Sequence, residues 1–219
     1  MHTPPNAIVV VGSLHYDIMI EAPHRPAKGE TVTGTRWYPK FGGKGGNQAV
    51  AAAHAGCKTR MVGAVGNDNF ATFVMTRLRA SGVDTSRVAT VAGAGTGMSV
   101  ACLDAERDYG AVIVSGANLA IDPTALADPS LWRGAALLIL QNEVTEALNI
   151  AAAIAARQRG VKVCLNAAPV RPLATSLVAL VDILVVNAVE AQAMTGVAVT
   201  SLATARDAAA ALARRFQPV

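Results

Sequence analysis

Residues 41–56 read FGGKGGNQAVAAAHAG, in which four glycines surround Lys44 and an alanine-rich run follows. The glycines indicate a flexible turn, and the alanines favour a helix directly after it. The first turn of a helix carries unpaired N–H groups and a partial positive charge, which suits an oxygen-rich ligand within reach of Lys44 and Asn47. By residue chemistry alone, the segment is either such a binding turn or an ordinary helix start.

Two glycine motifs that bind nucleotides do not fit this segment. The P-loop pattern GxxxxGK[S/T] would need a glycine at Tyr38 and a hydroxyl residue at Gly45. The dinucleotide pattern GxGxxG, started at Gly43, meets Gln48 where its last glycine should stand. Neither nucleotide motif is therefore supported.

Short apolar runs alternate with longer helical segments along the rest of the chain. The predicted strands are Ile8–Gly12, Thr59–Gly66, Ala136–Leu140, Val161–Asn166 and Asp182–Asn187. The predicted helices are Gly46–Ala55, Asn69–Ala80, Val144–Arg159 and Leu202–Phe216. Continuous apolar strands separated by helices are typical of a parallel sheet covered on both faces, so the chain is predicted to be an α/β protein.

Two regions interrupt this alternation. Residues 17–40 and 96–116 alternate polar and apolar side chains and contain turn residues, as strands with one exposed face do. We predict that they form a small β-sheet lid on an α/β body made of residues 1–16, 41–95 and 117–219.

Composition excludes several other classes. The net charge is +4, and no run of Lys or Arg interleaves with aromatic residues, so nucleic acid is not expected as a partner. The apolar runs are too short for a membrane span, and the first residues do not resemble a secretory signal. Cys57, Cys102 and Cys164 lack paired spacing and are expected to be reduced thiols in a cytoplasmic protein.

Several stretches, in this order along the chain, resemble the PfkB (ribokinase-like) family of carbohydrate kinases. They are VVVGSLHYDI, KGETVTG, GGKGGNQAVAAAHAG, LILQNEVTE, LNAAP and VDILVVNAVEAQAMTG. The resemblance runs from about Ile8 to the end of the chain. It implies a three-layer α/β body with a small β-sheet lid, and transfer of the ATP γ-phosphate to a sugar hydroxyl.

The resemblance also implies ligands and partners. The cofactors would be ATP and Mg²⁺, with a monovalent cation such as K⁺ in the complete enzyme. The substrate would be a sugar or a nucleoside, and lid strands would pair across a homodimer. The sugar itself is not specified, because kinases of pentoses, hexoses and nucleosides share these motifs.

Carried over residue by residue, the resemblance implies a set of substrate-binding residues that we call the clamp. These are His15, Asp17, Gly43, Lys44, Asn47 and Glu143. Asp17 would accept hydrogen bonds from a diol, and Gly43 would let the backbone approach the sugar. Asp17 could instead cap a turn, and Glu143 could instead cap the helix that follows it.

His15 departs from the pattern, because close ribokinases carry asparagine at this position. Histidine is bulkier and titrates near neutral pH, which puts ribose itself in doubt as the substrate. A tolerated loop residue is the alternative interpretation.

Asn187 and Glu190 match the family's Asn-x-x-Glu motif on the nucleotide side. The resemblance implies that Glu190 holds Mg²⁺ through water, which fits the preference of this ion for oxygen ligands. The alternative is a helix N-cap at Asn187 with an acidic first-turn residue at Glu190.

The family's second signature, Asp-Thr-x-Gly-Ala-Gly-Asp, supplies the catalytic base. The only Gly-Ala-Gly, in TVAGAGTG (Thr90–Gly97), has Thr96 in place of the aspartate and precedes a predicted strand. The base is therefore expected beyond Val219, with no catalytic residue in this chain. The expectation is a C-terminally truncated sugar kinase that is inactive alone; the alternatives are a non-catalytic sugar-binding remnant and a nucleoside kinase.

The last predicted helix has apolar residues at helical spacing. They are Leu202, Ala205, Ala209, Leu212 and Phe216. This stripe is expected to be buried against further sheet, with Gln217–Val219 as the entry to another strand.

Overall fold

The computed structural model describes residues 6–216. The strands are β1 Ala7–Val11, β2 His15–Glu21, β3 Arg36–Gly42, β4 Lys58–Gly66, β5 Asp84–Val91, β6 Gly97–Leu103, β7 Tyr109–Val114, β8 Ala135–Gln141, β9 Lys162–Asn166 and β10 Ile183–Val185. The α-helices are α1 Lys44–His54, α2 Asn69–Ala80, α3 Glu146–Arg157, α4 Thr175–Val178, α5 Ala188–Thr195 and α6 Leu202–Arg215. Three short 3₁₀ helices, Gly116–Ala120, Pro123–Ala127 and Pro129–Trp132, lead into β8.

The larger sheet has six strands in the order β10-β9-β8-β1-β4-β5, and every neighbouring pair is parallel. The five strands predicted from apolar runs all lie in it, so the α/β prediction is confirmed. β5 was not predicted because its sequence, DTSRVATV, begins with four polar residues and has no continuous apolar run. Its polar and partly exposed side chains suit its position at the edge of the sheet.

The smaller sheet has the order β3-β2-β6-β7. β2 pairs antiparallel with β3 and parallel with β6, and β6 pairs antiparallel with β7. A second small sheet is thus confirmed, although β2 begins at His15 rather than at Asp17. That this sheet acts as a lid on a separate body stays a prediction.

The core lies on both faces of the larger sheet. Val9 and Val11 point to one face, where they pack in a cluster with Leu148 of α3. Val10 points to the other face and packs with residues of α1 and α2 such as Leu78. All of these side chains are buried, and each stabilises the fold by about 1.5–3 kcal/mol relative to exposure.

Side-chain caps explain where three of the helices begin. Asp68, Thr145 and Ser201 accept a hydrogen bond from a backbone N–H in the first turn of α2, α3 and α6. Such caps satisfy donors that have no partner within the helix. α3 therefore begins at Glu146, two residues later than predicted.

β10 forms one edge of the larger sheet, and an apolar cavity of about 600 Å³ lies beside it. Residues of β10, α5 and α6 line this cavity. The predicted stripe of α6 is partly wrong, because Leu202 is 82% exposed and Ala208, outside the stripe, is buried with Leu212. The predicted strand entry at Gln217–Val219 lies outside the described residues.

Four segments join the smaller sheet to the rest of the fold, and we call them the crossings. They are residues 12–14, 43, 92–96 and 115. Ser13 of the first crossing contacts Gly43 of the second, and Leu14 is hydrogen-bonded to Asn118, just after the fourth. Gly95 of the third accepts a hydrogen bond from Ala117 N at 2.8 Å. The crossings are therefore held together at one place.

Candidate active site

The start of α1 is anchored by two residues from neighbouring strand ends. Glu143 Oε2, just after β8, accepts hydrogen bonds from Ser13 Oγ at 2.5 Å and from Lys44 N at 2.8 Å. Glu143 Oε1 also lies 3.8 Å from Lys44 Nζ. β8 and β1 are adjacent in the sheet, which brings Ser13 and Glu143 together at its carboxyl edge. Ligands of α/β sheets bind at this edge.

Glu143 does not cap the helix that follows it. Thr145 is the N-cap of α3, and the Glu143 carboxylate instead meets the first N–H of α1. An acidic group at a helix N-terminus is stabilised by the helix dipole. Glu143 is thus a cap for α1 that is supplied from a distant part of the chain.

The first N–H groups of α1 are already hydrogen-bonded within the chain. Lys44 N donates to Glu143, Gly45 N to Ser13 Oγ at 3.3 Å, and Gly46 N to Ser13 O at 2.9 Å. The expectation that unpaired N–H groups would receive a ligand is therefore wrong. Side chains of the first turn, such as the partly exposed Lys44 and the exposed Asn47, remain accessible to a ligand.

Gly43 is required by the packing of the chain itself. Its φ is +83°, and a Cβ there would lie 2.7 Å from Ser13 O and 2.8 Å from His15 N. Real Cβ atoms do not approach backbone so closely, and only glycine adopts this φ at no steric cost. This contact explains the glycine without a sugar.

Asp17 lies on β2 with one carboxylate oxygen engaged. Ser99 Oγ of the adjacent β6 donates to Asp17 Oδ1 at 2.7 Å. Asp17 Oδ2 lies over Gly42, where a side chain would collide with it. Within the described part of the chain, Oδ2 accepts no hydrogen bond, so it is available to a hydroxyl donor.

His15 is the least accessible of the clamp side chains. It is 3% exposed, and its Nε2 atom is buried without a hydrogen-bond partner among residues 6–216. Burial lowers the pKa of the ring, an effect that Glu143 and Asp17 oppose and Lys44 reinforces. The neutral imidazole is therefore favoured, and its neighbours are charged clamp residues.

Asn118 is a buried site neighbour that the sequence analysis missed. Its Oδ1 accepts from Leu14 N at 2.8 Å, and its Nδ2 donates to Leu14 O at 3.0 Å and to Ser115 O at 2.9 Å. It thereby fixes the segment that carries Ser13 and His15. Its position in SGAN, between an exposed strand and the next apolar run, was the signal that could have pointed to it.

Asn187 and Glu190 lie apart from the clamp, just after β10. Asn187 is the N-cap of α5, and the two residues form a capping box in which each side chain accepts from the other's backbone N–H at 2.8 Å. The helix-start interpretation is therefore realised in the structure. β10 is three strand positions from β1, or about 14 Å across the sheet.

The described residues contain few other candidates. Between residues 6 and 216, no three His, Cys, Asp or Glu side chains group as metal ligands, and no helix has the length and apolarity to cross a membrane. Cys57, Cys102 and Cys164 are free, and burial raises the pKa of Cys164. The Gly-Ala-Gly segment leads into β6, and Thr96 Oγ1 donates to Asp68, so it is not a helix start.

Comparison with known proteins defines the class of this chain. A model of the pfkB family carbohydrate kinases matches residues 5–218, and the chain belongs to this family. It is 33% identical to the ribokinase of Haemophilus influenzae over 204 residues, covering 92% of this chain and 66% of the relative. It is 36% identical to the ribokinase of Mus musculus over 211 residues, covering 95% of this chain and 65% of the relative.

A solved structure gives the same result. The Arabidopsis thaliana ribokinase complexed with ribose and ATP is 29% identical, with a TM-score of 0.86 over 97% of this chain and 70% of that one. The ribokinase-like fold predicted from the sequence is thus confirmed. This chain spans just under two thirds of the length of the two curated relatives.

Proposed function

We propose that the protein is a sugar kinase, in which the clamp binds a sugar or a nucleoside and ATP supplies the phosphate. The observation that carries the proposal is Asp17, a carboxylate with one oxygen fixed by Ser99 and the other free. An ionised carboxylate in this state accepts hydrogen bonds from a diol strongly. The names of the relatives, which are ribokinases, support the same substrate class.

In the proposed reaction, an oxygen of the bound sugar attacks the γ-phosphorus of ATP. The bond from that phosphorus to the bridging oxygen breaks, ADP leaves, and the hydroxyl proton passes to a base. We expect that base in the part of the relatives' length that this chain does not span. The clamp residues would contribute by holding the hydroxyl in line, because phosphoryl transfer depends mainly on positioning and electrostatics.

The nucleotide is proposed to lie near the start of α5. Glu190 is 7% exposed, and its Oε2 atom accepts a hydrogen bond from Asn187 N. The other carboxylate oxygen would be available to a metal-bound water. This arrangement fits Mg²⁺ held through water better than direct ligation, since Mg²⁺ keeps several of its waters. When bound, Mg²⁺ would offset charge on the phosphates. A monovalent cation such as K⁺ in the complete protein belongs to the same proposal.

Pairing of two copies through the smaller sheet is also proposed. β7 is an edge strand whose consecutive residues Val112, Ile113 and Val114 are all exposed. Exposed apolar edge strands readily pair with another chain. Light scattering would show a dimer in the wild type, and Val112→Lys would give monomers.

Ligand binding tests the proposed function. The 219-residue chain is titrated calorimetrically with a panel of sugars and nucleosides, alongside Asp17→Asn and the control Asp122→Asn. Asp122 is an exposed carboxylate at a 3₁₀ helix cap, remote in sequence from the clamp. We expect at least one sugar or nucleoside to bind the wild type and the control, and Asp17→Asn to lose it. If no sugar or nucleoside in the panel bound to the wild type, the clamp assignment would be refuted.

Turnover is a separate measurement. The sequence has no Gly-Ala-Gly-Asp, the part of the family's second signature that contains the catalytic base. Losing a group that stabilises the transition state typically costs on the order of 100-fold or more in rate. We therefore expect this chain to bind sugar without measurable phosphate transfer from ATP. Transfer at an ordinary enzymatic rate would show that a residue within the chain acts as the base.

A further inference from the structure

The two carboxylates of the clamp each keep one oxygen available. Asp17 Oδ1 is engaged by Ser99, and Glu143 Oε2 by Ser13 and Lys44 N. Asp17 Oδ2 and Glu143 Oε1 form no hydrogen bond in residues 6–216, and the only cation within 4.0 Å of Oε1 there is Lys44 Nζ, at 3.8 Å. These two oxygens are the acceptors that the clamp can offer to hydroxyl groups.

His15 lies on the same strand as Asp17, two residues earlier and therefore on the same face of the smaller sheet. Its backbone N–H lies beside Gly43, next to the loop that Glu143 anchors. In the described chain, neither carboxylate is within ion-pair distance of the ring. The charged groups acting on the ring are Asp17 from β2, Glu143 from the β8–α3 loop and Lys44 from α1.

We propose that His15 leaves the clamp open to a polyol only while its ring is neutral, so that sugar binding is coupled to the release of a proton. A positive ring would attract the free oxygens of Asp17 and Glu143. Neither oxygen is within ion-pair distance of the neutral ring, so a positive ring would have to draw one of these side chains towards it. Charge-assisted hydrogen bonds are about twice as strong as neutral ones, so the imidazolium would then outcompete a sugar hydroxyl for that acceptor. The neutral ring forms no hydrogen bond through its buried Nε2 atom, so both oxygens stay available to a sugar.

The direction of the pH effect follows from the burial of His15. Burial disfavours the charged ring, which is why its pKa lies below the ordinary value. The ring is therefore neutral at pH 7, and sugar affinity is highest above the pKa. Below the pKa, each binding event must displace a proton, so the sugar Kd rises about tenfold for each pH unit.

This inference rests on the proposed sugar site, so the test separates the two. Titration calorimetry with the sugar that binds most tightly in the panel is repeated from pH 5 to pH 8.5 on the wild type, His15→Gln, His15→Asn and the control His54→Gln. His54 is exposed at the far end of α1. NMR of the wild type follows the His15 ring with and without sugar, and circular dichroism checks the fold of each variant.

We expect the sugar Kd of the wild type and of His54→Gln to rise as the pH falls, and that of either His15 variant to be nearly constant. We also expect sugar to lower the pKa of His15 in the wild type, a result that needs no variant. The same pH dependence in folded His15 variants, or a wild-type Kd that does not change with pH, would overturn the inference and leave the sugar site intact. Absence of sugar binding at every pH would overturn both proposals.

Discussion

Glu143 joins two segments of the chain that are far apart in sequence. Its carboxylate accepts hydrogen bonds from the buried Ser13 hydroxyl and from the Lys44 N–H, both in a partly buried site. Leaving such a donor unsatisfied costs more than the net value of the bond, since its hydration is not restored. Glu143 is therefore a structural residue as well as a member of the clamp.

Glu143→Ala is expected to lower the free energy of unfolding by about 2–3 kcal/mol, because the buried Ser13 hydroxyl and the partly buried Lys44 N–H lose their acceptor. Urea denaturation measures the loss. The control is Glu106→Ala, an exposed residue whose replacement should change stability by no more than about 0.5 kcal/mol. Equal losses in the two variants would show that Glu143 matters only to ligands.

The two ends of α1 offer a matched pair of glycines. Gly43 and Gly56 have φ values of +83° and +84°, but a Cβ at Gly56 would meet no atom within 4 Å. Gly56→Ala should therefore cost about 1 kcal/mol from backbone conformation alone. Gly43→Ala should cost about 1–3 kcal/mol more, because the methyl group collides with Ser13 and His15. Similar unfolding midpoints in urea would contradict the role given to packing at Gly43.

At the scale of single residues, the sequence pointed to the clamp mainly through a family resemblance. Ser13, Ser99 and Asn118 were not predicted, because each acts on a partner 82 to 130 positions away in the chain. Local patterns carry no information about such partners. The structural role of Glu143, as the acceptor for Ser13 and Lys44 N, was missed for the same reason.

The edge strand β5 is fastened to the 3₁₀ helix before β8 by an ion pair. Arg87 Nη2 lies 2.5 Å from Asp128 Oδ2, and it also contacts Ser130 Oγ. The hydrogen bond from Arg87, with further bonds from Ser130, lowers the pKa of Asp128 to about 2. An edge strand with partly exposed side chains needs such an attachment, because its own apolar burial is small.

A lowered carboxyl pKa stabilises the fold above the unfolded value of 3.8, and this stabilisation is lost as the pH falls towards 2. Asp128→Asn should therefore be less stable than the wild type at pH 7, with the difference shrinking between pH 4 and pH 2. Thermal unfolding across this pH range measures it, with Asp207→Asn on α6 as the control. A difference independent of pH would mean that the ion pair is not responsible.

α5 begins with a capping box whose members also match the family's nucleotide motif. Glu190→Gln keeps an oxygen that can accept from Asn187 N, so the fold should lose less than about 1 kcal/mol. It removes the negative charge, so the Mg²⁺ dependence of ATP binding should weaken more than sugar binding does. Calorimetric titrations of ATP, with and without Mg²⁺, and of sugar measure both effects; equal loss of the two ligands would contradict this division.

At the scale of elements, hydrophobic runs located the four inner strands of the larger sheet and its edge strand β10, and the prediction of α2 coincides with the observed helix. β5 was missed because it is a largely polar edge strand. α4 and α5 were missed because they are short, with four and eight residues. α1 begins two residues earlier than predicted. The glycines there indicated a turn, but Glu143 and Ser13 supply the partners that let the helix start among them.

For the whole molecule, the alternation of strands and helices was sufficient to predict the parallel sheet, and the polar alternation was sufficient to predict the second sheet. The way the two sheets are joined was not predictable. The four crossings meet through Gly43, Leu14, Gly95 and Asn118, and those contacts depend on strand order. Strand order follows from crossover geometry only once the whole chain is arranged.

The bond between Ser13 and Glu143 has a consequence for the timing of synthesis. These residues are 130 positions apart, so at 5–20 residues per second roughly 6 to 26 s separate their appearance on the ribosome. During that interval the Ser13 hydroxyl has no Glu143 acceptor, and for the first part of it, until Asn118 is made 104 positions after Leu14, the segment lacks that partner as well. Pulsed hydrogen exchange on stalled nascent chains should find the Lys44 amide unprotected until Glu143 has emerged. The glycine-rich turn that opens the helix is thus completed by one of the later strands to be translated.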